Sequence, residues 1–430
     1  MEIGDWVVAV IETQIFWPKK KQTASYEGKE FVLLPLGEPS GPFATRQLPA
    51  IALRADTYGL PRAEARRKIM QFASALSWRE GAKIEIVSWS GGNIPRSLGI
   101  IRNNAVTDYL DSEHLPSSED ERARAALAFY REGISLDNPF YAFLSLYKAF
   151  SVAISDGRVR GQWMSDKRGE IGDEEAKKRL TELDREGVNI GDYLYQKGRH
   201  AIAHADREPF VNPDDADDHF RLSLDLPLMR KFSELAIEEQ FGIKRRDTIY
   251  REHLYELEGF RKLVPSEIVK RFKGGDGVDA SFEIELPEQF VLVAQKGANQ
   301  YALDGMKVGL AGCFEHGIAI DFESPHATVA LRVSLNFADE KLMFDPVRHF
   351  SITSKREEKN AIREEVRALQ FLRCILSNGH IEIWDPAGKR LGCSEGYIPV
   401  NCFVNNDYFE QQLRDLENLL QQQSAGLAKG

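Results

Sequence analysis

The sequence predicts a multidomain α+β protein in three parts. These are a small α/β N-terminal domain over 1–112, a helical bundle over 116–265 and a β-rich C-terminal domain with two helices over 278–430. Three observations carry this. Apolar residues recur at strand-like spacing, then at helical spacing, then at strand-like spacing again along the chain. Two polar stretches, around Ser112–Asp120 and at Lys273-Gly274-Gly275-Asp276-Gly277, fall where the spacing changes. A chain of 430 residues is also too long for one ordinary domain.

Residues 3–17, rich in Val, Ile, Phe and Trp, read as a strand or hairpin followed by a Lys-rich turn at 19–22. Phe31-Val32-Leu33-Leu34-Pro35 is a second strand and Ile51-Ala52-Leu53 a third. Over 62–79, Ala65, Ile69, Phe72, Ala73 and Leu76 keep helical spacing. Lys83-Ile84-Glu85-Ile86-Val87 then alternates like a half-buried strand and ends at Gly91-Gly92.

An Ala-rich helix is expected at 119–132. Asp137-Asn138-Pro139 puts a capping residue just ahead of a helix-starting proline. The segment it opens, to Ile154, carries Phe140, Phe143, Leu144, Leu146, Tyr147 and Phe150, so it is apolar on most faces and belongs in the middle of a bundle. Helix-like segments follow at 176–197 and at 226–241, the latter starting at Leu226-Pro227 and stopping at Gly242. The acidic stretch Asn212–Asp218 reads as a loop, and a short helix at 248–259 closes the bundle.

Beyond 278, strands are expected at 281–286, 289–295, 306–310, 317–322, 327–337 and 347–353. An amphipathic helix at 355–378 has Ile362, Val366, Leu369, Leu372 and Leu376 on one face and Gly379 as its stop. Short strands at 380–384 and 398–403 precede a last helix at 407–423.

With 43% hydrophobic and 28% charged residues the chain reads as soluble and globular. Its net charge of -10 excludes a protein that coats nucleic acid through bulk charge, although a local basic patch can still hold a strand. Cys313, Cys374, Cys393 and Cys402 form no Cys-x-x-Cys pair, so free thiols in a reducing cytoplasm are expected and zinc is not. The start, Met1 to Trp6, lacks the basic and apolar regions of a signal peptide. No apolar run approaches the roughly 18 residues of a membrane helix. The expectation is a cytoplasmic protein with no membrane partner and no cofactor.

The candidate site is Gly198-Arg199-His200-Ala201-Ile202-Ala203-His204-Ala205, where histidines gather more closely than anywhere else in the chain. Arginine stays charged and grips phosphate, and histidine moves protons near neutrality. Together they are what a metal-free RNA-cleaving site needs. His200 and His204 are four apart and share a helix face, which also suits a metal. The glutamate of a His-Glu-x-x-His helix is absent, however, and no third ligand lies nearby beyond Asp206, so no metal is predicted. An Arg and a His at this spacing also serve structural roles on helices. Arg356, Lys359, Arg363 and Arg367 could face nucleic acid, but Glu357, Glu358, Glu364 and Glu365 among them read as an ordinary solvated face.

The motif Arg199-His200-Ala201-Ile202-Ala203-His204, with the apolar helix Asn138 to Tyr147, resembles the HEPN superfamily (higher eukaryotes and prokaryotes nucleotide-binding domains). The resemblance covers about a third of the chain. It implies a four- or five-helix bundle, many of whose relatives are metal-independent endoribonucleases. It implies His204 as general base on a ribose 2'-hydroxyl or acid on the 5'-oxygen, Arg199 as phosphate brace and His200 as helper. It also implies a homodimer that pools two motifs on RNA, a trigger or regulatory protein, and a role in defence against phage. The sequence departs from some toxin members at Asp206, where they carry a tyrosine. Phe72–Trp78 and His253–Phe260 are similar to the methylamine utilisation protein J family, a name that implies no reaction. The competing function class is a non-catalytic scaffold or interaction protein, such as an RNA-binding or assembly factor of a metabolic operon.

Overall fold

A computed structural model describes residues 6–37, 48–92, 106–107, 110, 112, 114–204, 206–275, 284–399 and 403–427, which form two compact units, Met1–Arg246 and Asp247–Gly430. In the first unit the strands are β1 (Trp6–Thr13), β2 (Trp17–Pro18), β3 (Gln22–Tyr26), β4 (Lys29–Leu34), β5 (Ala50–Arg54), β6 (Ile84–Gly92) and β7 (Val106–Thr107). Five of them make an antiparallel sheet in the order β3-β4-β5-β1-β6, and β2 pairs β7 in parallel. Helix α1 (Arg62–Glu80) covers one face. There Val7, Ala9 and Ile11 meet Ile69, Phe72 and Leu76, and the Phe31 and Phe72 rings stack at 4.6 Å. Val8, Val32 and Ala52 are buried on the opposite face, which is why β1 reads as an unbroken apolar run.

The bundle consists of α2 (Glu121–Ser135), α3 (Pro139–Ala153), α4 (Arg160–Lys167), α5 (Glu174–Arg185), α6 (Ile190–Tyr193), α7 (Ala201–Ala203) and α8 (Ala216–Phe241). A π-helical turn, Leu194–His200, joins α6 to α7. Asn138 Oδ1 accepts from Phe140 N and Tyr141 N with Pro139 in the first turn, the start that the sequence predicts. Phe143, Phe150, Leu183, Leu194, Met229 and Phe232 fill the core. Helix α8 corrects two expectations. Asp215 caps it and Asp217 and Asp218 occupy its first turn, where the helix dipole favours negative charge, so the acidic stretch starts a helix instead of looping. Pro227 therefore lies inside α8, over the solvent-exposed Ser223 turn, where a missing N–H is tolerated.

The N-terminal layer and the bundle are one unit, not separate domains at 1–112 and 116–265, because α1 is shared. Its far flank packs on α2. Trp78 meets Tyr130 edge-on at 4.9 Å, Arg131 Nε donates to Ser74 Oγ (3.1 Å), and Ser135 Oγ donates to the Ile84 carbonyl (3.2 Å). Beneath this seam Glu234 is buried and accepts from Tyr130 Oη (2.6 Å), with Arg245, Arg230 and Lys231 around it. Burial alone pushes the Glu234 carboxyl up, but the three cations outweigh it and hold it at about 2.

The folded carboxyl thus titrates below its unfolded value. Its contribution is complete above about pH 4.5 and is lost as pH falls towards about 2. Wild type is expected to lose roughly 3 kcal/mol of stability across that window from this group alone. Urea midpoints measured from pH 6 to 2.5 should flatten in Glu234→Gln, and an unchanged slope would refute the account.

The second unit contains α9 (Arg246–Arg251, beginning at the boundary), α10 (Ser266–Gly274), β8 (Phe290–Lys296), β9 (Asn299–Phe314), β10 (Gly317–Glu323), β11 (Val329–Asn336), β12 (Lys341–Met343), β13 (Phe350–Ile352), α11 (Lys359–Leu376), β14 (His380–Trp384), β15 (Arg390–Glu395) and α12 (Asn406–Leu427). The antiparallel sheet runs β12-β11-β10-β9-β8-β14-β15, with β13 on β11. Leu257, Phe260 and Phe272 sit in its core, so the segment 247–275 belongs here and not at the end of the bundle. The expected helix at 248–259 gives way to turns after Arg251. Glu256 bridges the two ends of the sheet. Its carbonyl accepts from Cys393 N on β15 (3.0 Å) and its Oε2 from Leu342 N on β12 (2.9 Å). Gly259 and Gly392 allow this close approach, because a Cβ at Gly259 would fall 2.4 Å from Leu391 Cα and one at Gly392 would fall 2.8 Å from the Glu256 carbonyl oxygen.

Of the strand expected at 281–286, residues 281–283 lie outside the described residues and 284–286 are not strand. Residues 398, 399 and 403 are not strand either, 400–402 lie outside, and β14 pairs with β8 and β15. Among the described residues no helix is long and apolar enough to cross a membrane, and Cys313, Cys374 and Cys393 are free thiols, while Cys402 lies outside them.

Candidate functional site

Three local facts place the motif. Gly198 presses the π-helical turn onto α3, since a Cβ there would lie 2.4 Å from the Phe143 ring. The π turn leaves a backbone carbonyl to be satisfied from outside, and Arg221 on α8 donates to the Lys197 carbonyl (2.9 Å). Below it is a buried knot. Arg179 Nε donates to Asp225 Oδ1 (2.7 Å), Arg179 Nη2 donates to Tyr193 Oη (2.8 Å), and Tyr193 Oη donates to Asp225 Oδ2 (3.0 Å). Burial pushes the Asp225 carboxyl up, while Arg179, Tyr193 and Arg221 pull against it. The knot ties α5, the motif run and α8 together, so the motif stands on three fixed supports.

On this base the sequence-predicted residues converge. One guanidinium nitrogen of Arg199 lies 3.4 Å from His204 Nε2, and the His200 and His204 rings are 4.7 Å apart. A guanidinium only donates, so in any hydrogen bond between the two His204 Nε2 is the acceptor. Arg199 is half-buried, and among the described residues it forms no ion pair with a carboxylate. Asp206 is exposed, with a carboxylate oxygen 3.7 Å from Arg207 Nε. No group of three or more His, Cys, Asp or Glu among the described residues is placed to hold a metal.

Arg199 lines a cavity of about 350 Å³, whereas His200 and His204 are not among its lining residues. Its walls include Lys148, Arg160 and Arg199, the phenols Tyr147 and Tyr195, and Leu144, with no carboxylate among the lining residues. The Arg199 guanidinium lies 5.9 Å over the Tyr195 ring, and Tyr195 stands 6.4 Å from Tyr147 and 6.1 Å from His200. Burial raises the Tyr147 phenol against the pull of Arg160 and Arg199, so it stays a neutral hydroxyl. Sequence reasoning did not single out Lys148, Arg160 or Tyr195 and assigned Tyr147 to packing. The available signal was Lys148, which interrupts an otherwise apolar helix, and Tyr195, one turn before Arg199.

A family model described as methylamine utilization protein MauJ matches residues 126–238. That span runs from α2 to α8 and holds the whole motif, whereas the stretches Phe72–Trp78 and His253–Phe260 fall outside it. No curated protein matches, and no solved structure matches. Over the residues that build this site, the chain is similar to the MauJ family.

Proposed function

We propose that the bundle is a metal-independent endoribonuclease of HEPN type. The observation that carries this reading is the contact of His204 with Arg199, which itself lines a cavity whose charged lining is entirely cationic. His204 takes the proton from a ribose 2'-hydroxyl, whose oxygen attacks the adjacent phosphorus. The bond to the 5'-oxygen breaks, that oxygen receives a proton, and a 2',3'-cyclic phosphate remains. Arg199 braces the phosphate as its charge is redistributed. Entering and leaving oxygens lie in line on opposite sides of phosphorus. The HEPN resemblance implies a homodimer, in which a second copy's motif serves the other oxygen. The remainder of the chain would respond to a trigger, and an antiphage or toxin-like role fits such an architecture.

The second reading, a non-catalytic scaffold or assembly factor, rests on the similarity to MauJ, whose description names methylamine utilization. The deciding experiment is incubation of labelled single-stranded RNA and tRNA with the full chain in EDTA, beside Arg199→Ala. Fragments ending in cyclic phosphate, absent with Arg199→Ala and absent from matched DNA, are expected. RNA left intact by wild type, or cleaved equally by the variant, overturns the site.

A further inference from the structure

The cavity has two kinds of wall, and only one cation on them besides Arg199 is uncommitted. Arg160 Nε donates to the Ile154 carbonyl (2.8 Å) and its Nη2 to those of Ser151 (3.1 Å) and Ser155 (3.2 Å), so it closes the end of α3. Lys148 is exposed, forms no ion pair among the described residues and holds its ammonium 5.5 Å over the Phe129 ring. Leu144, one turn before it on α3, and Tyr195, 38% exposed, also line the cavity. A planar aromatic ring beside a planar guanidinium, with an ammonium-bearing side chain on the same cavity, is the surface that a base and its phosphate require.

We propose that this cavity is a nucleotide subsite. It receives one unstacked nucleotide of the strand next to the cut, its base on Tyr195 and Leu144 and its phosphate on Lys148. The inference rests on the ribonuclease reading and deepens it, because it makes the substrate unpaired RNA. About 350 Å³ lies at the small end of ligand sites and admits one nucleotide, not a helix. Bases in an A-form duplex are stacked behind a major groove that side chains cannot read, so paired RNA would first have to flip a nucleotide out, against stacking and pairing. Tyr195 and Lys148 are binding and specificity-determining residues here, with the proton work left to the motif.

The test separates binding from cleavage. A fluorescein-labelled, uncleavable 2'-deoxy single strand is titrated by anisotropy into the full chain, wild type and the Tyr195→Ala, Tyr195→Phe and Lys148→Met variants. The same strand is also titrated as a duplex. Tyr195→Ala should weaken binding about tenfold, the size of one base–aromatic stack, while Tyr195→Phe keeps it. Lys148→Met should lower the slope of log affinity against log salt by about 0.7, the mark of one lost single-strand phosphate contact. The duplex should bind at least about tenfold more weakly, reflecting the unpairing a flipped base requires.

Equal binding by the variants, or equal binding of the duplex, overturns the subsite. So does adenosine monophosphate that binds the cavity without displacing the strand, since the cavity would then hold a free nucleotide. Cleavage in EDTA with variant-independent binding removes the subsite alone. Variant-dependent binding without cleavage supports the subsite and removes the ribonuclease reading.

Discussion

Replacing His204 with alanine is expected to lower RNA cleavage by about 10²–10⁴-fold, the usual worth of one general acid or base. The loss should appear in kcat with little change in strand affinity, because the proposed mechanism gives the proton to His204 and the phosphate charge to Arg199. The geometry also ranks the two imidazoles. His204 Nε2 is held in contact with the guanidinium at 3.4 Å, whereas His200 turns its ring between His204 and Tyr195. His200→Ala should therefore cost less than His204→Ala, roughly tenfold at most, because it leaves the principal base in place. Single-turnover rates for both variants between pH 5 and 8 would check this, and a larger loss at His200 would reverse the roles. Arg199→Lys should not restore Arg199→Ala, since an ammonium lacks the planar fork that grips two phosphate oxygens.

The second large effect is on stability. Asp225 is fully buried and carries Arg179 and Tyr193 on its two oxygens. Asp225→Ala strands the Arg179 charge, itself only 9% exposed, and should cost about 3–5 kcal/mol. Removing both charges, as Arg179→Met with Asp225→Leu, should recover much of that, because a buried pair can be replaced by apolar bulk at little net cost. Chemical denaturation of wild type, Arg179→Met, Asp225→Leu and the double variant gives the coupling directly. Additive losses would mean that Arg179 and Asp225 act independently. The double variant also tests positioning. With the knot gone but the fold kept, cleavage should still fall, since Tyr193 would lose its anchor at the head of the π turn.

The legible parts of the fold were those where local chemistry and tertiary packing agree. Asn138-Pro139 starts α3 because cap and proline act on their own first turn, and the apolar face of α11 that the sequence shows packs on α12, while Ala368, Phe371 and Ile375 on another face enter the sheet core. Illegible parts had their local signals overridden. Pro227 suggests a start yet lies inside α8, since Asp215 caps the helix earlier. The 16-residue β9 was read as five residues, 306–310, so its first seven residues and its exposed end, Ala311–Phe314, were missed. The Arg and two His of the motif were visible as types at a spacing. Their meeting with Lys148 and Tyr195 was not, because it depends on Gly198 bringing two helical segments into contact and on a π turn that spacing alone does not announce.

The Glu256 bridge has a practical consequence for dissecting the chain. A fragment begun at the glycine-rich joint near 275 would carry every strand of the second sheet yet lack Glu256, Leu257 and Phe260. Both edge strands, β12 and β15, would then offer open N–H and C=O groups to neighbouring molecules. Such a fragment should self-associate, whereas one begun at Asp247 keeps its own clasp and should stay dispersed.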